Sequence, residues 1–262
     1  VLAADIDLSI YSSGEGWTPI GSGDNPFQVS FDGNGHTISN LYINSGGGGK
    51  GLFGKIASGS EVKNLRLTDI YMRASWSSGA ICSSVASGGI VTNCSVEGGT
   101  MVDSSNGAFY GGIASSCEKG GISYCYTDLD IDVRQFAGGI VGQGYAEYCL
   151  SNATITRAGT AGGICGRGGY VTNSAFSGRI VSDKGSIGGI IGEWGSATDC
   201  YFSGTISGTY NVGGIIGAER WGHNMSNNYV AGSVQGTNNT GIFVGSLSSN
   251  ISLTNSYYDS SK

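Results

Sequence analysis

The sequence is poor in proline and histidine, with 2 of each among 262 residues, and in charge, with Asp, Glu, Lys and Arg together at 12%. Each shortage excludes something. Only 13 Lys and Arg and a net charge of −6 leave no basic surface to neutralise a phosphate backbone, so nucleic acid is not an expected partner. No apolar run approaches the ~18 residues that span a bilayer, so membrane insertion is not expected either. The two histidines, His36 and His223, stand in unrelated contexts and cannot form a His-Glu-x-x-His zinc helix. Gly46 to Gly49 precedes Lys50 but lacks the Gly-Lys-Ser/Thr ending of a Walker loop. None of the 7 cysteines has Cys-x-x-Cys spacing, so no confident metal site is read. What is plentiful is glycine, 49 residues, beside 39% hydrophobic residues. That is too apolar for disorder, and no Gly-X-Y period suggests collagen. A packed, turn-dense β protein remains.

The glycines fall in a repeat. Gly-Gly-Ile recurs at Gly111-Gly112-Ile113, Gly138-Gly139-Ile140, Gly162-Gly163-Ile164, Gly188-Gly189-Ile190 and Gly213-Gly214-Ile215, with weaker copies at Gly79-Ala80-Ile81, Gly241-Ile242 and Gly51-Leu52-Phe53. Taking Phe53, Ile81, Ile113, Ile140, Ile164, Ile190, Ile215 and Ile242 as marks gives intervals of 24 to 32 residues. A second phrase follows each mark, at Asn64-Leu65, Asn93-Cys94, Tyr124-Cys125, Tyr148-Cys149, Asn173-Ser174, Asp199-Cys200, Asn227-Asn228 and Asn255-Ser256. A unit of ~26 residues cannot bury its apolar face alone and must stack on its neighbours. The fold expected is all-β: a right-handed parallel β-solenoid of about eight rungs, ~40 Å long at ~4.8 Å per rung. The whole chain, 1–262, is expected to be one solenoid domain, with opening rungs over 1–60 and Gly-Gly-Ile repeats over 61–262.

Aligning the repeats predicts two inward columns. One holds Ile70, Met101, Ile131, Ile155, Ile180, Ile206 and Val234; the other holds Leu65, Cys94, Cys125, Cys149, Ser174, Cys200, Asn228 and Ser256. Glycine is expected at the sharp corners, where φ is positive, and where sheets approach closely.

Three sets of residues could carry chemistry. Asp128, Asp130 and Asp132 alternate with Leu129 and Ile131, so they share the outer face of a strand, with Asp69 and Thr154 expected beside Asp130 on adjacent rungs and Arg179 beyond Thr154. Such a row is a candidate Ca2+ or sugar site, or a solvated face that keeps sheets from aggregating; no other cofactor is expected. Tyr145, Tyr170, Trp194 and Trp221 follow consecutive marks at one corner. They are read as an aromatic ladder for a glycan ligand, or as a cover for the glycine-rich turn. Cys94, Cys125 and Cys149 are either buried filler or inter-rung disulfides, and the odd cysteine count excludes complete pairing.

Residues 1 to 60 carry their own ordered phrases: Ala4-Asp5-Ile6-Asp7-Leu8, Trp17-Thr18-Pro19-Ile20-Gly21, Phe31-Asp32-Gly33-Asn34-Gly35-His36-Thr37-Ile38 and Gly51-Leu52-Phe53-Gly54. Together with the later Gly-Gly-Ile repeats, they resemble the GLUG-repeat family of bacterial cell-surface proteins. Members of that family are typically β-solenoid segments of large exported adhesins, and some accompany immunoglobulin-A-cleaving metallopeptidases. The resemblance implies extracellular or cell-surface location and a structural or adhesive role, and it carries no catalytic residue across. A non-enzymatic module is therefore expected, with a glycan-binding module, a polysaccharide lyase or a glycoside hydrolase as alternatives. The partners expected are a host or matrix glycan or protein, or end-to-end copies of the chain itself. Residue 1 opens inside a phrase, so the chain is expected to be processed or a piece of a longer protein.

Overall fold

The computed structural model describes residues 1–104 and 108–261. It is all-β apart from one 3-10 turn at Ser9–Tyr11. Two parallel sheets, of 20 and 14 strands, run the length of the rod. Among the described residues, no helix is long and apolar enough to cross a membrane.

One rung shows how the sequence makes the coil. Val141–Glu147 lies in the smaller sheet, Tyr148 turns the chain, and Leu150–Ser151 and Thr154–Thr156 continue in the larger sheet. Arg157 turns it again with φ 60°, and Thr160–Gly162 leads to the next mark. At the mark, the carbonyl of Ile164 accepts from both Ile140 N and Val141 N of the preceding rung, at 3.0 and 2.9 Å. The same double acceptance recurs at Ile113, Ile140, Ile190 and Ile215. It lets the chain turn a corner without orphaning a buried amide.

The sharpest regular corner is the residue before the cysteine column. Asn34, Asn64, Asn93, Tyr124, Tyr148, Asn173, Asp199, Asn227 and Asn255 all have φ between 45° and 56°. Nine such corners make about nine turns, one more than the eight expected, because Asn34 in the opening phrase already turns a full rung. Glycine does not hold these corners, although it does hold other positive-φ turns, at Gly35, Gly59, Gly88 and Gly120 among them. Asparagine and aspartate tolerate the left-handed region, and their side chains can also bond along the stack. The paired glycines of the repeat serve close approach instead. A Cβ on Gly139 would collide with the carbonyl oxygen of Gly163 and with Ser151 Oγ.

The core is continuous. Ile81, Ile113, Ile140, Ile164, Ile190 and Ile215 are fully buried. Register moves two of the marks by one residue. Phe53 pairs with Cys82, so Leu52 is the true mark there, and the carbonyl of Phe243 serves Ile215 and Ile216 in the way of a mark, leaving Ile242 exposed. The second column is Met72, Met101, Ile131, Ile155, Ile180, Ile206 and Val234. Ile70 is not in it: in the regular pairing of the two rungs Ile70 stands opposite Gly99 and Met72 opposite Met101.

Candidate functional site

The cysteine column is a hydrogen-bonded seam. All seven cysteines are buried and free, so Cys94, Cys125 and Cys149 stand as buried filler and not in the alternative inter-rung disulfides. The four thiols of the column instead donate to the carbonyl two residues before them: Cys94 to Thr92, Cys125 to Ser123, Cys149 to Glu147 and Cys200 to Thr198, at 3.2 to 3.3 Å. Ser174 and Ser256 make the same bond from their hydroxyls, to Thr172 at 2.7 Å and Thr254 at 3.1 Å. They also accept an amide from the rung before, Ser174 from Cys149 N at 3.0 Å and Ser256 from Asn228 N at 3.2 Å. Thiol and hydroxyl thus make the same bond at this position, while Asn228 in the same column donates to Ala197 O instead. Burial pushes the thiols of Cys117, Cys165 and Cys200 up to about 12, which suppresses the thiolate needed for nucleophilic chemistry.

The acidic strand keeps its alternation but not all of its expected neighbours. Leu129 and Ile131 are buried, while Asp128 and Asp130 face solvent. Asp130 pairs in register with Thr154, and Thr154 with Arg179, as the repeat predicts. Asp69 does not flank Asp130. The rung next to Asp130 contributes Thr100, and Asp69 sits a rung further off in a left-handed conformation beside the glycine bulge. Asp132 is engaged by the Arg157 guanidinium and by Thr156 Oγ1 at 3.0 Å. Asp128 lies opposite Glu97, which is itself held by Arg66 through two bonds of 2.9 and 2.7 Å. Among the described residues, no three carboxylate, histidine or cysteine side chains are grouped to hold a metal ion.

The four corner aromatics are near one another but do not form a single ladder. Tyr145 and Tyr170 are in register and stacked, with centroids 4.9 Å apart at 10°. Tyr170 then pairs with Ser196, while Trp194 lies two residues earlier, in a left-handed conformation with φ 56°. Arg167 lies over the Trp194 ring at 3.8 Å, and Trp221 meets Trp194 edge-on at 6.1 Å. Stacking covers the faces of the tyrosines, and the guanidinium covers one face of Trp194. Trp221, 70% exposed, is the ring left open to a ligand. Beside it, Tyr145, Tyr170, Gln143 and Glu118 line a groove of about 360 Å3.

Sequence reasoning missed the residue that ties this corner together. Glu219 is fully buried. It accepts Gly195 N at 2.9 Å, Trp221 N at 2.6 Å and His223 Nδ1 at 3.0 Å, and His223 packs edge-on against Tyr170 at 5.8 Å. Burial raises the Glu219 carboxyl, but the amides of Gly195 and Trp221 and the imidazole outweigh it and hold the group below the ordinary glutamate range. Nothing in the repeat signalled it, since the matching positions, Trp194 and Leu247, are half-buried and exposed. Asp5 and Asp7 do order the first rung: Asp5 accepts Thr37 N and the His36 ring, and Asp7 accepts Asn40 Nδ2 and Ser9 N.

No protein-family model matches the chain. A provisionally named Gly-rich membrane protein of Evansella cellulosilytica is 37% identical over 100 residues, 37% of this chain and 12% of that protein. Halomucin of Haloquadratum walsbyi is 32% identical over 151 residues, 54% of this chain and 2% of its length. The chain therefore matches only a small part of either relative. Among solved structures, a protein of Bacteroides ovatus provisionally assigned as an immunoglobulin A1 protease superposes with a TM-score of 0.61 over 98% of this chain and 76% of that one, at 21% identity. At that identity the likeness is one of fold, and it supports the β-solenoid architecture.

Proposed function

We propose that the chain is a rod-like adhesive module of an extracellular or cell-surface protein, and that its aromatic corner contacts carbohydrate. The observation that carries this reading is the division of labour across the coil. The apolar side chains form one internal column, while the outside presents ladders of Asn, Asp, Thr and Tyr at the rung spacing of ~4.8 Å. A stiff rod with a repeating polar and aromatic exterior suits spacing and multivalent contact more than catalysis. Trp221, 70% exposed and edge-on to Trp194, is the contact we assign to a sugar ring.

A glycan screen that reads retention and product release together tests this reading. Retention without release is expected, and Trp221→Ala should weaken it by at least about tenfold. Release of sugar products that stops in Asp130→Asn would replace the adhesive reading with a hydrolytic one.

A further inference from the structure

A second exposed feature lies on the opposite half of the corner column, away from Trp221. From Asp32 the left-handed corners carry a side-chain ladder: Asn64 Nδ2 donates to Asp32 Oδ1 at 3.0 Å, and Asn93 Nδ2 donates to Asn64 Oδ1 at 2.8 Å. The next corner is Tyr124, which has no amide to continue the chain, so the ladder's direction of donation leaves Asn93 Oδ1 without a partner from the following rung. Two residues along, the same change of size occurs, because Ser95 pairs in register with Tyr126. Short polar side chains on one rung therefore meet a wall of two tyrosines on the next. The step forms a groove of about 430 Å3 lined by Asn64, Asn93, Ser95, Arg66, Tyr124 and Tyr126.

The two faces of the Tyr124 ring differ. One is covered by Tyr148, stacked at 4.9 Å and 4°. The other looks back over the shorter Asn93, and the residue is 59% exposed. Tyr124 also carries a backbone cost. At φ 54° a bulky aromatic is an outlier, and six of the nine corners in this column use asparagine, which tolerates that conformation better. Folding alone favours asparagine here. A strained residue kept at an exposed groove, with an open ring face and an unmatched acceptor below it, is an arrangement for binding.

We propose that this groove is a saccharide site, separate from the Trp221 corner, that takes a neutral linear oligosaccharide lying along the rod. One sugar ring stacks on the free face of Tyr124. Its hydroxyls donate to Asn93 Oδ1 and bond with Ser95 Oγ. The ligand is neutral because the charge of the one guanidinium in the groove, Arg66, is already balanced by Glu97 through two bonds of 2.9 and 2.7 Å. The proposal rests on the reading that the rod contacts carbohydrate, and it names a different part of the rod as a place of contact.

The test uses the whole chain and a panel of neutral linear hexasaccharides of β-linked glucose, mannose, galactose and N-acetylglucosamine, read by saturation-transfer NMR and calorimetric titration. Tyr124→Asn installs the residue the column already uses at Asn93, so it preserves the coil while removing the wall. It should weaken binding by at least about tenfold, and Tyr124→Phe, which keeps the ring face, should stay within about twofold of the parent chain. Trp221→Ala separates the two sites. Binding lost in Trp221→Ala and unchanged in Tyr124→Asn would sink this groove and leave the corner reading standing; the reverse pattern would sustain the groove and remove the corner. A parent chain that binds no member of the panel would overturn the proposal outright.

Discussion

Glu219 and His223 face each other across one turn of chain, with Nδ1 and Oε1 3.0 Å apart, and the same carboxylate takes the amides of Gly195 and Trp221. A buried carboxylate with three donors is stable only while ionised. Its folded-state value lies below the unfolded one, so its contribution is fully present above the ordinary glutamate range and is lost as pH falls through the lowered folded value. Thermal unfolding followed from pH 7 down to pH 3 should therefore show a loss of stability that begins near ~4.5. In Glu219→Gln that dependence should shrink. The variant should also be less stable at pH 7 by about 2 to 4 kcal/mol, since one amide oxygen cannot serve donors on both sides. An acid limb of equal depth in both proteins would assign the effect to other carboxylates.

The seven thiols should be silent in the folded protein. All are buried, and those of Cys117, Cys165 and Cys200 are pushed up to about 12, so few thiolates exist at pH 8. A chromogenic disulfide reagent should find seven thiols in denaturant and almost none in the native chain over minutes. Fewer than seven in denaturant would mean that two rungs are joined by a disulfide. Cys125→Ser should be tolerated within about 1 kcal/mol, because Ser174 and Ser256 already make the same bond in this column.

Much of the coil could be read from its repeat, for a physical reason. A solenoid makes each rung solve the same packing problem, so the Ile marks and the Cys and Ser column return at nearly constant spacing. Reading failed where one rung departs from the pattern. The strands at 66–74 and 95–103 run in register with each other and both carry one residue more than 126–132, so Met72 rather than Ile70 falls in line with Met101, and the whole rung of Thr100 lies between Asp69 and Asp130. Trp194 shows the same limit: grouped with Tyr170 as one ladder, it stands two residues short of the position that pairs with Tyr170, which Ser196 fills. The Tyr124 step was visible as letters, since Tyr-Cys replaces Asn-Cys there. Its meaning required knowing that this letter sits on an outer corner with positive φ.

The corner asparagines should matter more than exposed polar residues usually do. Asn227 has φ 56° and donates to Asp199 Oδ1 at 2.9 Å, so alanine there loses both the tolerance for a left-handed backbone and a bond along the stack. Asn227→Ala should destabilise the chain by about 1 to 2 kcal/mol in urea unfolding. Asn227→Gly, which restores the backbone freedom but not the bond, should recover roughly half of that loss.

Gly139→Ala tests the other role assigned to the repeat. Gly139 has no positive φ, so a conformational account predicts that alanine is neutral or mildly stabilising through the unfolded state. Close approach predicts the opposite, since the new methyl would meet the Gly163 carbonyl oxygen and Ser151 Oγ, both parts of neighbouring backbone or buried seam. The two rungs would have to separate, and the Ile140 and Val141 amides would lose their shared acceptor on Ile164. Overpacking of this kind costs about 1 to 3 kcal/mol, and here it carries unsatisfied amides as well, so a loss of ~3 kcal/mol or more is expected. Denaturant unfolding of Gly139→Ala beside Gly120→Ala separates the accounts. Gly120 has φ 76° and open space around its Cβ, so its loss reports the backbone conformation alone. A larger destabilisation at Gly139 than at Gly120 upholds close approach as the reason for the paired glycines, and the reverse order would return that role to positive φ.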